Sequence, residues 1–263
     1  MNAQFSESVV GRLETPLLAA PELTDPVEVS PQKLAEQNVV GFRNSDTRAR
    51  PFKLLRSQIL KQVQESGVKL IGVTSAAPAV GKTFVAVNLA AALSRLGDVD
   101  VYLVDLDLHR PAVAGRFSLP DEAGVHDLLA GAVPDMLPVA RRINDERLVV
   151  VPGFRRDVAT GELLTSNNGE RLFRALRTLP DNAIVIVDMP PIFADDDAVI
   201  IGQRIDGYVL VVEDAKTTRK QVQDTIRLLS PTPLLGSVLN RYRSQLFSDE
   251  YGYGFGYGYG AYY

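Results

Sequence analysis

The stretch TSAAPAVGKTFVAVNLA holds Gly81, Lys82 and Thr83 between a short apolar run and a long segment rich in alanine, valine and leucine. A glycine-lysine-threonine turn between strand and helix lets backbone amides and a helix N-terminus face phosphate oxygens. Lys82 then neutralises β- and γ-phosphate charge, and the Thr83 hydroxyl offers a coordination place to Mg²⁺. The full phosphate-loop pattern GxxxxGK[ST] is not met, because Ala76 stands at its first glycine. The tripeptide alone is therefore weak, and two further stretches carry the reading. VDLDLHRP places Asp105 and Asp107 at the end of one apolar run, and VDMPP places Asp188 at the end of another. Phosphoryl transfer needs carboxylates that hold hydrated Mg²⁺ and accept a proton from the attacking oxygen. One aspartate at such a place is ordinarily a turn former; three beside a GKT turn point to an ATP and Mg²⁺ site. Ala79, Val80, Gly81, Lys82, Thr83 and Phe84 are expected around the nucleotide.

These residues need a scaffold, and the chain alternates accordingly. Apolar runs at 69–74, 99–104, 148–151, 183–187, 207–212 and 234–239 alternate with helical segments near 82–96, 123–130, 169–179, 196–204 and 217–229. Runs apolar at every position suit strands covered on both faces. The pattern predicts a doubly wound α/β fold with a mainly parallel sheet, which binds ligands at the carboxyl ends of its strands. Segment 82–96 is apolar nearly all round and is expected as a central buried helix. Phe52, Leu55, Ile59 and Val63 recur at helical spacing after Pro51, which suits a first helical turn. Residues 1–45 hold Pro16, Pro21, Pro26 and Pro31 with no sustained period, and read as a mobile or loosely docked arm. Residues 46–241 are the expected nucleotide-binding domain, and 242–263 a flexible tail.

Bulk composition narrows the classes. An apolar fraction of 46% in 263 residues is ample for one buried core. There are no cysteines and only two histidines, which removes disulfides, thiolate chemistry and an ordinary zinc site. A net charge of −4 gives no general footprint for nucleic acid. No run reaches the ~18 apolar residues of a membrane span, so a cytoplasmic protein is expected.

The chain closes on YGYGFGYGYGAYY, which holds six of its nine tyrosines. Alternate glycines contribute no side chain and add backbone entropy, so this tail builds no core. With GKT, DLDLHRP, IVIVDMPP and the terminal tyrosines together, the sequence from about Arg50 to Tyr263 resembles the bacterial tyrosine kinases of exopolysaccharide and capsule synthesis, a P-loop ATPase type. GVHDLLAG, GELL, ADDDA and DGYVLVVEDAKT add to the likeness. The resemblance implies a protein-tyrosine autokinase that governs polymer length or export. It implies Lys82 and Thr83 on the phosphates and Mg²⁺, Asp105 and Asp107 as metal-shell and proton-accepting groups with the base left open between them, and Asp188 as a further metal partner. Asn240, in VLNR, matches the place where relatives contact adenine. Tyr251, Tyr253, Tyr257, Tyr259, Tyr262 and Tyr263 become the acceptors, modified in trans. The implied partner is a separate membrane chain-length regulator with a cytosolic activating tail, which recruits the chain to the inner face of the plasma membrane.

Two features depart from that family. Where relatives carry ExxRxxR for ring assembly, this chain has Arg50, Lys53 and Arg56, and a reversed charge turns an ion-paired contact toward repulsion. His109 stands where many relatives have arginine. Arg155 and Arg156, after the third expected strand, either bind an acidic partner segment or are simply exposed, and exposure is the expectation. The competing reading is a nucleotide-dependent dimerisation switch without kinase activity. Relatives of that kind carry a further lysine where Ala77 stands and lack the tyrosine tail.

Overall fold

The computed structural model describes residues 24–242, apart from 25, 44 and 158. Eight strands form one sheet: β1 (Pro26–Val27), β2 (Leu70–Ser75), β3 (Asp100–Asp105), β4 (Arg141–Ile143), β5 (Leu148–Val151), β6 (Ala183–Asp188), β7 (Gly207–Glu213) and β8 (Leu234–Asn240). Their order is β1-β4-β5-β3-β6-β2-β7-β8, and every pairing is parallel except β4 with β5. The six expected strands are the six longest here. Every residue of β2, β3, β5 and β6 is buried, which is why their sequences carry no polar alternation.

Helices cover both faces: α1 (Pro31–Glu36), α2 (Arg50–Ser66), α3 (Lys82–Ser94), α4 (Val113–Arg116), α5 (Val125–Leu129), α6 (Thr160–Thr165), α7 (Asn167–Arg177), α8 (Asp197–Gly202) and α9 (Arg219–Leu229). Successive strand residues feed opposite cores. Leu70, Tyr102 and Val185 pack with α5, α7 and α8, while Ile71, Leu103 and Ile186 pack with α3 and α2. All of α3 except Phe84 is buried, because α2 lies over it as an outer layer. Phe52 meets Phe84 edge-on at 5.5 Å, and Arg56 Nη1 donates to the Ala92 carbonyl at 3.0 Å. Pro51 sits in the first turn of α2, and Gly67 ends it with φ +65°.

The amino-terminal segment differs from the expected arm. From Pro26 to Phe42 it is docked: β1 pairs with β4, and Val29, Leu34, Val39 and Val40 are buried. Asn88 of α3 holds it. Its Oδ1 accepts from the Val40 and Gly41 amides at 2.7 and 3.0 Å, and its Nδ2 donates to the Asn38 and Phe84 carbonyls at 3.1 and 2.9 Å. Gly41 is required, since a Cβ there would lie 2.4 Å from the Asn88 carbonyl oxygen and 2.8 Å from Ala91 Cβ. Among the described residues no helix is long and apolar enough to cross a membrane.

Candidate functional site

The sheet order brings the sequence signals together. Strands β3, β6 and β2 are neighbours, all pointing the same way, and Asp105 stands opposite Asp188 in register. The loop after β2 leads into α3 at the same edge, with Gly81 at φ +103°. That conformation favours glycine, and a Cβ there would lie 2.2 Å from Asn240 Nδ2. Asn240, the last residue of β8, donates through this atom to the Val80 carbonyl at 2.8 Å. It tethers the loop, and neither it nor Val80 lines the cleft.

Lys82 and the aspartates converge. The Lys82 ammonium is hydrogen-bonded to Asp107 Oδ2 and stands 3.8 Å from Asp188 Oδ1. Burial disfavours its charge, but Asp188 and Asp107 outweigh this and raise its pKa. Asp188 is fully buried with no hydrogen bond of ordinary geometry to either oxygen. Burial pushes its pKa up, against the pull of Lys82 and Thr83. Asp105 is also raised, first by burial and then by the charge of Asp188.

The two aspartates of DLD do different things. Asp105 Oδ2 accepts from the Ala112 and Val113 amides at 3.0 Å each, and Oδ1 from the Asp107 amide at 3.3 Å. These bonds fold the HRPAV loop, and Asp105 does not line the cleft. Asp107 does. The cleft encloses about 620 Å³, with Ala79, Gly81, Lys82, Thr83, Phe84 and Asp107 along its inner wall.

Its outer wall was not foreseen in the sequence: Arg110, Arg116, Arg155, Arg241, Pro190, Pro191 and Asp195. DLDLHRP, VDMPP and ADDDA hold Arg110, Pro190, Pro191 and Asp195, but nothing in the sequence joins them to Arg116, Arg241 or the Arg155-Arg156 pair, for which exposure was the expectation. Arg155 is exposed yet lines the cleft. Arg156 turns aside to Asp121 at 2.9 Å and to the Phe154 ring at 5.7 Å. His109 Nε2 lies 2.8 Å from Thr160 Oγ1, 3.3 Å from Asp195 and 3.4 Å from Asp197. The six tail tyrosines lie outside the described residues.

A phosphate loop at a strand-to-helix junction, flanked by strand-end acids on a parallel sheet, defines a nucleotide-binding α/β domain. Residues 49–251 match the model of the CobQ/CobB/MinD/ParA nucleotide binding domain. The chain is 30% identical over 220 residues to tyrosine-protein kinase YwqD of Bacillus subtilis, covering 82% of this chain and 91% of that one. It is 30% identical over 189 residues to tyrosine-protein kinase ptk of Acinetobacter johnsonii, where 72% of this chain matches 25% of the relative. The kinase domain of Escherichia coli tyrosine kinase ETK superposes with a TM-score of 0.69 at 26% identity, covering 81% of this chain and 84% of that one. The chain belongs to the bacterial tyrosine-protein kinases, within the CobQ/CobB/MinD/ParA nucleotide-binding family. It spans nearly all of the Bacillus relative and a quarter of the Acinetobacter one.

Proposed function

We propose that this chain is an ATP-dependent protein-tyrosine autokinase whose acceptors are its own terminal tyrosines, modified in trans, and that it regulates capsule or exopolysaccharide chain length or export. The observation that carries the reading is Lys82, a buried cation between Asp107 and Asp188 where α3 opens onto the cleft. The thirteen residues of α3 direct their N-terminal amides at that cleft.

The residues present fit Mg²⁺. Asp188 is an orphaned buried carboxylate beside the Thr83 hydroxyl, which suits an ion that takes one or two carboxylates plus phosphate oxygens and water. Among the described residues no larger cluster of acids or histidines is built for a metal. Thr83 and Asp188 are the proposed metal residues, and Asp105 holds the HRPAV loop that carries Asp107's surroundings. When bound, Mg²⁺ neutralises charge on the β- and γ-phosphates.

Lys82 has two successive partners. Without nucleotide Asp107 satisfies it; with nucleotide it moves to the phosphate oxygens and leaves Asp107 free. The tyrosine Oη then attacks the γ-phosphorus as the bond to the β–γ bridging oxygen breaks. ADP leaves with that oxygen, and the phenolic proton passes to the Asp107 carboxylate. Recruitment by a membrane chain-length regulator and self-association complete the proposal, and family membership is what supports them. Of the α2 positions at issue for ring assembly, Arg56 is already engaged with Ala92 in its own chain.

The test is direct. Incubated with Mg-ATP, with and without a candidate membrane activator, the chain becomes phosphorylated on tyrosine. The signal is lost with Lys82→Met and with truncation after Asp249. Release of free phosphate without tyrosine labelling under every activator contradicts the kinase reading.

A further inference from the structure

The cleft carries more positive charge than a nucleotide needs. Lys82, Arg110, Arg116, Arg155 and Arg241 line it, against the carboxylates of Asp107 and Asp195. Three of the five cations are engaged within the chain. Lys82 is on Asp107, Arg116 Nη1 donates to the Gln37 carbonyl at 3.0 Å, and Arg241 pairs with Glu213 at 3.1 Å. Arg110 and Arg155 are both exposed, and among the described residues neither guanidinium has a hydrogen bond or ion pair. Arg156 beside Arg155 is held by Asp121 and does not line the cleft.

Charge of the opposite sign lies in the tail. The described chain ends at exposed Tyr242, next to Arg241 on the cleft wall, and residues 243–263 follow. Their only acidic side chains, Asp249 and Glu250, stand directly before Tyr251. The spacing then repeats. Asp249 precedes Tyr251 by two, Tyr251 precedes Tyr253 by two, and Tyr257 precedes Tyr259 by two.

We propose that Arg110 and Arg155 form an anion subsite for the acceptor segment of a second copy, reading negative charge two residues before the tyrosine to be modified. This deepens the kinase reading and rests on it. Asp249 fills the subsite when Tyr251 is presented. Once Tyr251 carries phosphate, with a charge of about −1.5 to −2, it fills the same place for Tyr253. Guanidinium forks suit both carboxylate and phosphate, so one subsite serves both states. The tail is thereby modified in order, Tyr251 before Tyr253 and Tyr257 before Tyr259.

The experiment uses the full chain carrying Tyr251→Phe, Tyr253→Phe, Tyr257→Phe, Tyr259→Phe, Tyr262→Phe and Tyr263→Phe, so that added peptides are the acceptors. Peptides SDEYGYGF and SNQYGYGF are compared with Mg-ATP. The acidic peptide is expected to have a KM lower by about tenfold, as two screened ion pairs supply. Arg110→Ala with Arg155→Ala removes that difference, and Arg155→Glu reverses it toward SKKYGYGF. Equal KM values for the acidic and neutral peptides, or a preference that survives in the double variant, overturn the subsite. Failure of every peptide to be labelled by any form, with and without the membrane activator, overturns the kinase reading beneath it.

Discussion

Asp188 is a carboxylate that the fold does not readily hold charged. It is fully buried, and no hydrogen bond of ordinary geometry reaches its oxygens. Its raised pKa means that the native state holds a proton more tightly than the unfolded chain does. The stability from this group is therefore fully present below the unfolded pKa and lost as pH rises through the native one. Asp188→Asn removes that loss. Its unfolding free energy should therefore rise relative to that of the parent chain as pH goes from acid to neutral. Calorimetry across that range checks it, and a difference that stays constant or moves the other way contradicts it. The same carboxylate is proposed for the metal, so the variant should bind Mg-nucleotide poorly. This residue was legible in the sequence as a strand-end acid. The division of labour between Asp105 and Asp107 was not, because it depends on which carboxylate the Ala112 and Val113 amides claim.

At the scale of elements, α3 is the hinge of the account, since it carries Lys82 and Thr83 at one end and the docked amino-terminal segment along its side. Asn88 makes three hydrogen bonds that join the two and a fourth within α3, to the Phe84 carbonyl. Asn88→Ala leaves two amides without their partner in a buried place, at a cost of about 3 kcal/mol. Gly41→Ala forces α3 to shift and should cost about 2 kcal/mol. Denaturant midpoints measure both, and nucleotide affinity should fall with them because Lys82 moves with α3. Unchanged midpoints contradict the docking of that segment on α3. The sequence showed α3 and the six longer strands because their apolar runs have no other use. It hid β1 and β4, whose two and three residues are too short to display a period. It also hid the docking of residues 26–43, since prolines and scattered acids mask the buried Val29, Leu34, Val39 and Val40. The arginine wall was hidden for a different reason: Arg110, Arg155 and Arg241 come from three separate loops, and only the sheet order assembles them.

For the whole molecule, a net charge of −4 conceals a cationic cleft at one edge of an apolar sheet, where the phosphate loop, the strand-end acids and the root of the tail meet. Arg241 and Asn240 tie that root to the cleft and to the loop carbonyl of Val80. The tail thus leaves from beside a site that its counterpart in a second copy is proposed to enter. The central claim is that nucleotide takes Lys82 away from Asp107 and so frees the base. A crystal structure of the chain with Mg²⁺ and a non-hydrolysable ATP analogue tests this most directly. The account predicts Lys82 Nζ on phosphate oxygens and the Asp107 carboxylate open to an incoming tyrosine. A nucleotide bound elsewhere, or a Lys82–Asp107 bond left intact beneath the bound phosphates, contradicts it.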